Sequence, residues 1–401
     1  MHAEYPILIT LGVLLILSPL VKSLMERLGV PAMVGYIMLG LLASILNQQW
    51  DFVTSRFEQT FTILAQLGVV ALLFRVGLKS HTKALIKKLP DASLIWLSDV
   101  FTNLLVGFLV AYYVLTLPLE TSLVIATAFS ATSVAVSVGL LDDMHKLNTA
   151  RGQLLVDIAE LDDLSGVLLL AILVAVISVL QQDSHESLFA VISITTFTTF
   201  LKLVLFISGC YLFSHYLERG FTGFNRKWEN STTGLTISVL GSGLAIAAIA
   251  GYLGFSLAIG ALFAGLAFSR DPEAVRTDAR FTYFYEFLTP FFFINIGLQI
   301  DPGTVMPSLG IAVILLIPAM LGKFVGVAAP ALRIMKKYDA TLLGISMIPR
   351  AEIAMVIMYQ CHLLGDEVVP DEIFSAMVIV AVITSIFAPL VLRYFFAKKL
   401  V

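Results

Sequence analysis

The chain is 401 residues long, carries a formal net charge of −3, and is 58% hydrophobic but only 13% charged. Soluble domains hold about a quarter charged residues and less than half apolar ones, so this composition excludes an ordinary soluble protein. Apolar stretches of about 20 residues, the length of a membrane-crossing helix, recur along the whole chain. Because backbone polar groups must be paired inside lipid, we expect an all-α membrane protein. We expect no nucleic-acid partner.

In chain order, we predict thirteen transmembrane helices. With the N-terminus outside, twenty Lys and Arg residues fall in inside loops or at the inside ends of spans, and one, Arg56, falls in an outside loop. Basic residues concentrate in cytoplasmic loops, so we expect an outside N-terminus and a cytoplasmic C-terminus in a bacterial inner (plasma) membrane. The predicted spans are 5–24, 31–46, 59–78, 92–115, 121–141, 153–180, 188–216, 233–250, 252–269, 281–300, 307–332, 340–363 and 372–395.

Two pairs of spans indicate an internal repeat. Leu28-Gly29 and Gly40-Leu41 recur 225 positions later, and the Gly77-Leu78 pair of span three recurs 220 positions later in span ten. The matching spans are seven apart, so the two copies have opposite orientations in the membrane. We predict one transmembrane domain over 1–401, with an inverted repeat of six helices each (1–180 and 233–401) joined by a linker helix and loop (181–232). Inverted repeats are typical of secondary transporters, whose sites lie near the midplane.

Span six carries the densest group of charges at membrane depth: Asp157, Glu160, Asp162 and Asp163. Charges there are costly and usually mark function. Asp157 and Glu160 are either funnel residues or helix-entry charges near the headgroups. Two adjacent carboxylates in a low-dielectric site cannot both ionise cheaply, so a proton or a bare cation can neutralise the pair and each excludes the other. Oxygen ligands suit a hard cation such as sodium or lithium.

Lys323 in span eleven is the complementary charge, and it needs an acidic partner at that depth. Gly322 and Gly326 beside it predict close helix approach. Spans five and twelve appear as interrupted helices in the sequence: hydroxyls cluster around Thr132 and Ser133, and Pro349 removes a helix donor. Arg350 and Glu352 flank the second break. Five further polar residues in or near the spans are expected to be buried pairing or packing groups: Asp99, Arg75, Lys202, Glu286 and Asn295.

These features resemble the second monovalent cation/proton antiporter family, in its bacterial sodium/proton antiporter branch. The resemblance covers essentially the whole chain and rests on Asp162-Asp163, the broken Ala-Thr-Ser helix before them, and Lys323. It implies that Asp163 is the main cation and proton carrier, that Asp162 pairs with Lys323, and that Thr132 and Ser133 line the site. It also implies two broken crossing helices, core and dimerisation domains, a homodimer and elevator-like alternating access. Glu160 departs from the family pattern, which leaves ion selectivity open.

We therefore expect a secondary transporter rather than an enzyme, exchanging Na⁺ or Li⁺ for H⁺ without a cofactor, with K⁺/H⁺ exchange as the alternative. If Lys323 loses its proton when Asp162 binds sodium, two protons exchange for one cation and exchange is electrogenic. If Lys323 stays protonated, one proton exchanges for one cation. The double aspartate favours electrogenic exchange. An organic-anion symporter would not need the carboxylate pair. An intramembrane aspartyl protease would need a Gly-x-Gly-Asp context, which is absent at Asp99 and Asp162.

Overall fold

The computed structural model describes residues 5–50, 54–79, 82–132, 150–180, 188–218, 220, 223, 232–269 and 278–397. This part of the chain is built from α-helices. In chain order they are α1 (Tyr5–Leu28), α2 (Ala32–Trp50), α3 (Ser55–Lys79), α4 (Thr82–Leu109), α5 (Leu119–Ser130), α6 (Ala150–Leu180), α7 (Leu188–Leu212), α8 (Thr232–Tyr252), α9 (Leu257–Phe268), α10 (Asp278–Gln299), α11 (Pro302–Ala331), α12 (Lys337–Ser346), α13 (Glu352–His362) and α14 (Asp371–Ala397). Short π-helical turns, Val110–Val114 and Phe213–Leu217, extend α4 and α7.

Helices lie at all thirteen predicted spans, with α12 and α13 sharing span twelve. The expectation of an all-helical, multi-pass membrane protein is confirmed, whereas the number of thirteen crossings stays a prediction. Among the described residues, six helices are long and apolar enough to cross a membrane: Leu8–Leu28, Arg56–Leu78, Ala92–Val114, Asp157–Ser178, Pro302–Ala331 and Asp371–Leu392.

The second predicted helix interruption is present, and at the first the helix ends within the predicted span. Helix α5 ends at Ser130, and Ala131 is extended, with φ −74° and ψ 144°. Helix α12 ends at Ser346 and α13 begins at Glu352, so Pro349 and Arg350 lie in a buried, non-helical stretch. The Pro ring cannot donate a backbone hydrogen bond, which accounts for a break at this point.

Two hydroxyls of α14 bond the backbone that the second break exposes. Arg350 N donates to Thr384 Oγ1 at 3.3 Å, and Ser385 Oγ donates to Arg350 O at 3.2 Å. Since an unpaired buried backbone group costs about as much as a lost hydrogen bond, these two contacts stabilise the interruption.

The described residues form two compact units: those within 1–53, 85–170 and 296–401 form the first, and those within 54–84 and 171–295 form the second. The first contains α1, α2, α4, α5, most of α6 and α11–α14. The second contains α3, α7–α9 and most of α10. Each unit draws on both halves of the chain, so the compact units do not coincide with the predicted repeats.

Equivalent glycines make the same contact in the two halves of the chain. A Cβ atom on Gly77 of α3 would lie 3.0 Å from Gly265 Cα of α9, and one on Gly297 of α10 would lie 2.9 Å from Gly40 Cα of α2. Gly77 matches Gly297 at the offset of 220, and Gly40 matches Gly265 at the offset of 225. The two contacts therefore join equivalent pairs of residues. Gly29, just after α1, and Gly254, in the turn after α8, also match at the offset of 225. Both have positive φ, 71° and 92° respectively. These equivalences support the repeat, whose boundaries stay a prediction.

Candidate functional site

The predicted carboxylate pair lies in the middle of α6. Asp162 is fully buried and Asp163 is 6% exposed. Gly166, one turn further on, lets α6 approach both interrupted segments, because a Cβ there would lie 3.0 Å from Ile353 Cγ2 and 3.6 Å from Ala131 Cβ. The acidic residues are therefore held next to the two helix breaks.

Asp162 makes its described side-chain contacts through one oxygen. Its Oδ2 accepts from Thr132 Oγ1 at 2.7 Å and from Lys323 Nζ at 2.7 Å. Its Oδ1 is buried and accepts no hydrogen bond from the described residues. The contact predicted between Asp162 and Lys323 is thus present, and one carboxylate oxygen is left with lone pairs for another ligand.

Lys323, on α11, is fully buried and has three acceptors on three different elements. Besides Asp162, its Nζ donates to Asp99 Oδ2 of α4 at 2.5 Å and to the backbone oxygen of Ser130 at 2.7 Å. Ser130 is the last residue of α5, where a carbonyl has no partner within the helix. The ammonium therefore joins α4, the end of α5 and α6 to α11.

The close approach of α11 to α4 depends on two glycines. A Cβ on Gly326 would lie 3.1 Å from Asp99 Cα, and one on Gly322 would lie 3.1 Å from Asn103 Oδ1. Larger side chains at either position would push the helices apart and lengthen the contact between Lys323 and Asp99. The packing role predicted for Gly322 and Gly326 is confirmed.

Arg350 lies in the break between α12 and α13 and is fully buried. Its Nη1 donates to the backbone oxygens of Phe129 and Ala131, at the end of α5. Its Nη2 donates to Asn103 Oδ1 at 2.9 Å and to Ala319 O at 2.8 Å, and its guanidinium lies 4.7 Å from the centre of the Phe129 ring. The planar guanidinium thus links the segment between α12 and α13 to the end of α5, and its rigid arrangement of donors suits this role.

Asn103 connects these two cations. Its Nδ2 donates to Asp99 Oδ1 at 2.7 Å while its Oδ1 accepts from Arg350. A continuous chain of buried hydrogen bonds therefore runs from Arg350 through Asn103, Asp99 and Lys323 to Asp162. With Asp163 added, three carboxylates and two cations give the cluster a formal charge of −1 when all are ionised.

The remaining predicted residues have varied positions. Pro349 is buried in the break, and Glu352 is half-buried at the start of α13. Asp157 is half-buried on α6, five residues before Asp162. Glu160 lies on the same helix, but its side chain is outside the described residues, and Ser133 lies outside them altogether.

The sequence did not single out Asn103, and it assigned Asp99 no specific partner. Asp99 and Asn103 are four residues apart, so they share a helix face, and this spacing of two polar residues in an apolar span was the available signal. Their link to Lys323 spans 224 residues of sequence and depends on tertiary packing.

With all its groups ionised, the buried cluster carries a surplus of one negative charge. The unbonded Asp162 oxygen and the neighbouring Asp163 carboxylate are hard oxygen donors, which suit a small monovalent cation or a proton. A ligand of charge +1 would neutralise the cluster, so binding two such ligands together is opposed.

Comparison with known proteins agrees with this chemistry. The family model described as sodium/hydrogen exchanger, transmembrane, matches residues 12–398. The chain is 25% identical over 396 residues to a Na⁺/H⁺ antiporter of Enterococcus hirae, covering 97% of each chain. It is 25% identical over 404 residues to the Na⁺/H⁺-K⁺ antiporter GerN of Bacillus cereus, covering 99% of this chain and 98% of GerN.

The fold also resembles a solved structure. The sodium proton antiporter MjNhaP1 from Methanocaldococcus jannaschii superimposes with a TM-score of 0.70 at 16% identity, covering 99% of this chain and 98% of that one. At this identity the likeness concerns the fold alone. Since the family model covers nearly the whole chain, the protein is a member of the transmembrane sodium/hydrogen exchanger family.

Proposed function

We propose that this protein exchanges sodium or lithium ions for protons across a bacterial inner membrane, as a secondary transporter without a cofactor. The observation that carries the proposal is the buried pair of Asp162 and Asp163, in which Asp162 Oδ1 accepts no hydrogen bond from the described residues while its Oδ2 is held by Lys323 and Thr132. The curated relatives named as Na⁺/H⁺ antiporters support the same exchange.

Competition at one site provides the coupling. A cation bound by Asp162 and Asp163 brings the cluster to neutrality, and so does a proton on Asp163. Because a buried net charge is expensive to move, the two neutral forms cross more readily than the empty, charged form. We assign Asp163 as the carrier and Asp162 as its co-ligand, with Thr132 lining the site.

Alternating access by an elevator-like movement is the mechanism we favour. The described site residues on α4, α5, α6 and α11, together with Arg350, all belong to the first compact unit, so the site can move as one body with its ligands. The outside N-terminus, cytoplasmic C-terminus, homodimer and division into core and dimerisation domains remain part of this proposal.

The proton-to-cation ratio depends on Lys323. The sequence favoured electrogenic exchange on the condition that Lys323 is left without a carboxylate when Asp162 turns to sodium. We propose electrogenic exchange, with more than one proton per cation, as the double aspartate favours. Asp99 Oδ2, 2.5 Å from Nζ, is a second carboxylate contact of Lys323, and a one-to-one ratio is the alternative if that contact keeps the ammonium unchanged.

Potassium/proton exchange is the second candidate, and the relative named as a Na⁺/H⁺-K⁺ antiporter favours including it. Purified protein in proteoliposomes with an imposed pH gradient distinguishes the two. Addition of NaCl or LiCl should dissipate the gradient at far lower concentration than KCl. Equal responses to KCl and NaCl would favour a broad K⁺/Na⁺ exchanger, and no response to any of the three salts would contradict the proposal.

A further inference from the structure

We infer that Asp99 is a positioning residue for the proposed exchange: it holds Lys323 in place while the cation occupies Asp162. The inference rests on the proposed function. Lys323 Nζ lies between two carboxylates, 2.5 Å from Asp99 Oδ2 and 2.7 Å from Asp162 Oδ2, and all three side chains are fully buried. Such an arrangement lets one carboxylate leave the ammonium while the other stays.

Asp99 is the partner that stays. Its Oδ1 accepts from Asn103 Nδ2 at 2.7 Å, and Asn103 also donates to the Asp99 backbone oxygen at 2.8 Å and accepts from Arg350. With Oδ1 occupied, Oδ2 points to Lys323. Gly326 allows α11 to come within contact of this part of α4. Asp99 is thus held by Asn103 at one carboxylate oxygen and contacts Lys323 with the other.

Asp162 is the partner that leaves. It has an oxygen that accepts no hydrogen bond from the described residues, and it adjoins Asp163, so it is placed to take up a cation. As the cation approaches, its charge repels Lys323 and weakens the contact between Lys323 and Asp162. Asp99 Oδ2 remains within hydrogen-bond distance of Lys323 Nζ and holds it in place.

Removal of Asp99 should therefore act on cation binding through Lys323. Lys323 would keep Asp162 as its only carboxylate, beside the neutral Ser130 carbonyl, and a cation would have to displace it from that carboxylate. The apparent affinity for Na⁺ falls, whereas a residue that only supports packing would lower the melting temperature without changing the Na⁺ dependence.

A double-mutant cycle tests this inference. The melting temperature of purified full-length protein in detergent is measured against NaCl concentration for the wild type, Asp99→Asn, Lys323→Gln and the double variant. Bound ligand stabilises the folded protein, so the half-saturating concentration reports affinity even if transport is lost. We expect Asp99→Asn to raise that concentration by about tenfold, within the coupling found between contacting residues. In the Lys323→Gln background the same change should have no further effect.

Each outcome of the double-mutant cycle either supports or overturns the role inferred for Asp99. An equal increase in both backgrounds, or none in either, would overturn the inference, because Asp99 would then act as a general charge or only in packing. If Asp99→Asn does not fold, Asn103→Ala, which removes the amide holding Asp99 without changing charge, is compared in the same two backgrounds. Wild-type protein that Na⁺, Li⁺ and K⁺ all fail to stabilise would instead overturn the proposed cation site and this inference with it.

Discussion

Lys323 Nζ lies 2.7 Å from Asp162 Oδ2, and both side chains are fully buried. Replacing Lys323 with Ala leaves Asp162 and Asp99 as buried carboxylates without their common cation. Breaking a buried ion pair by removing one partner costs about 3–5 kcal/mol, so Lys323→Ala should lower the melting temperature by several degrees or more. Lys336→Ala, at an exposed position, is the control. Equal melting temperatures for the two variants would contradict the importance of the pair.

Arg350 should not tolerate replacement by lysine. Its guanidinium donates to four acceptors, including Asn103 and the carbonyls of Phe129 and Ala131, and a lysine ammonium cannot reach them in the same plane. Each buried acceptor left without a donor costs about 1–3 kcal/mol, so Arg350→Lys should lose several kcal/mol of stability and most transport. The exposed Arg333→Lys is the matched control. Transport by Arg350→Lys at the rate of Arg333→Lys would refute this role.

Thr132 should affect cation affinity through its hydroxyl. Thr132 Oγ1 donates to Asp162 Oδ2 at 2.7 Å, and a hydrogen bond to a charged group contributes about 1.5–3 kcal/mol. Thr132→Val keeps the shape but removes the donor, so the Na⁺ concentration for half-maximal exchange should rise by about tenfold or more. Thr132→Ser keeps the hydroxyl and should remain close to wild type. The prediction fails if the Val and Ser variants have the same Na⁺ dependence.

Voltage dependence tests the proton-to-cation ratio. If Lys323 loses its proton when Asp162 takes up sodium, two protons exchange for one cation and net charge crosses the membrane. Flux through wild-type protein in proteoliposomes should then change with a clamped potassium-diffusion potential at fixed pH and sodium gradients. Wild-type flux that ignores the imposed potential would rule out electrogenic exchange and leave the one-to-one ratio.

Much of the fold could be predicted because membrane helices have a strong local signal. Long apolar runs and the distribution of Lys and Arg located the helices, and Pro349 and the hydroxyls near Thr132 marked the two interruptions. The partition into compact units could not be predicted, because each unit combines helices from both halves of the chain.

The site residues that could be predicted are those whose charge is unusual within a transmembrane helix. Asp162, Asp163 and Lys323 were identified on that basis and from the family resemblance. Asp99 was identified only as a buried polar residue, because its pairing with Lys323 depends on how α4 packs against α11 at Gly326. The network therefore appeared only once the tertiary contacts were known.

Loss of exchange in Asp163→Asn is the most direct test of the central claim. Asp163 is buried beside Asp162, and the substitution keeps its size while removing the carboxylate that takes either ligand. In proteoliposomes with an imposed pH gradient, wild type and the exposed control Asp301→Asn should exchange Na⁺ for H⁺, whereas Asp163→Asn should give no Na⁺-driven proton flux while remaining folded. Sodium-driven proton flux in Asp163→Asn equal to that of the wild type would contradict the account.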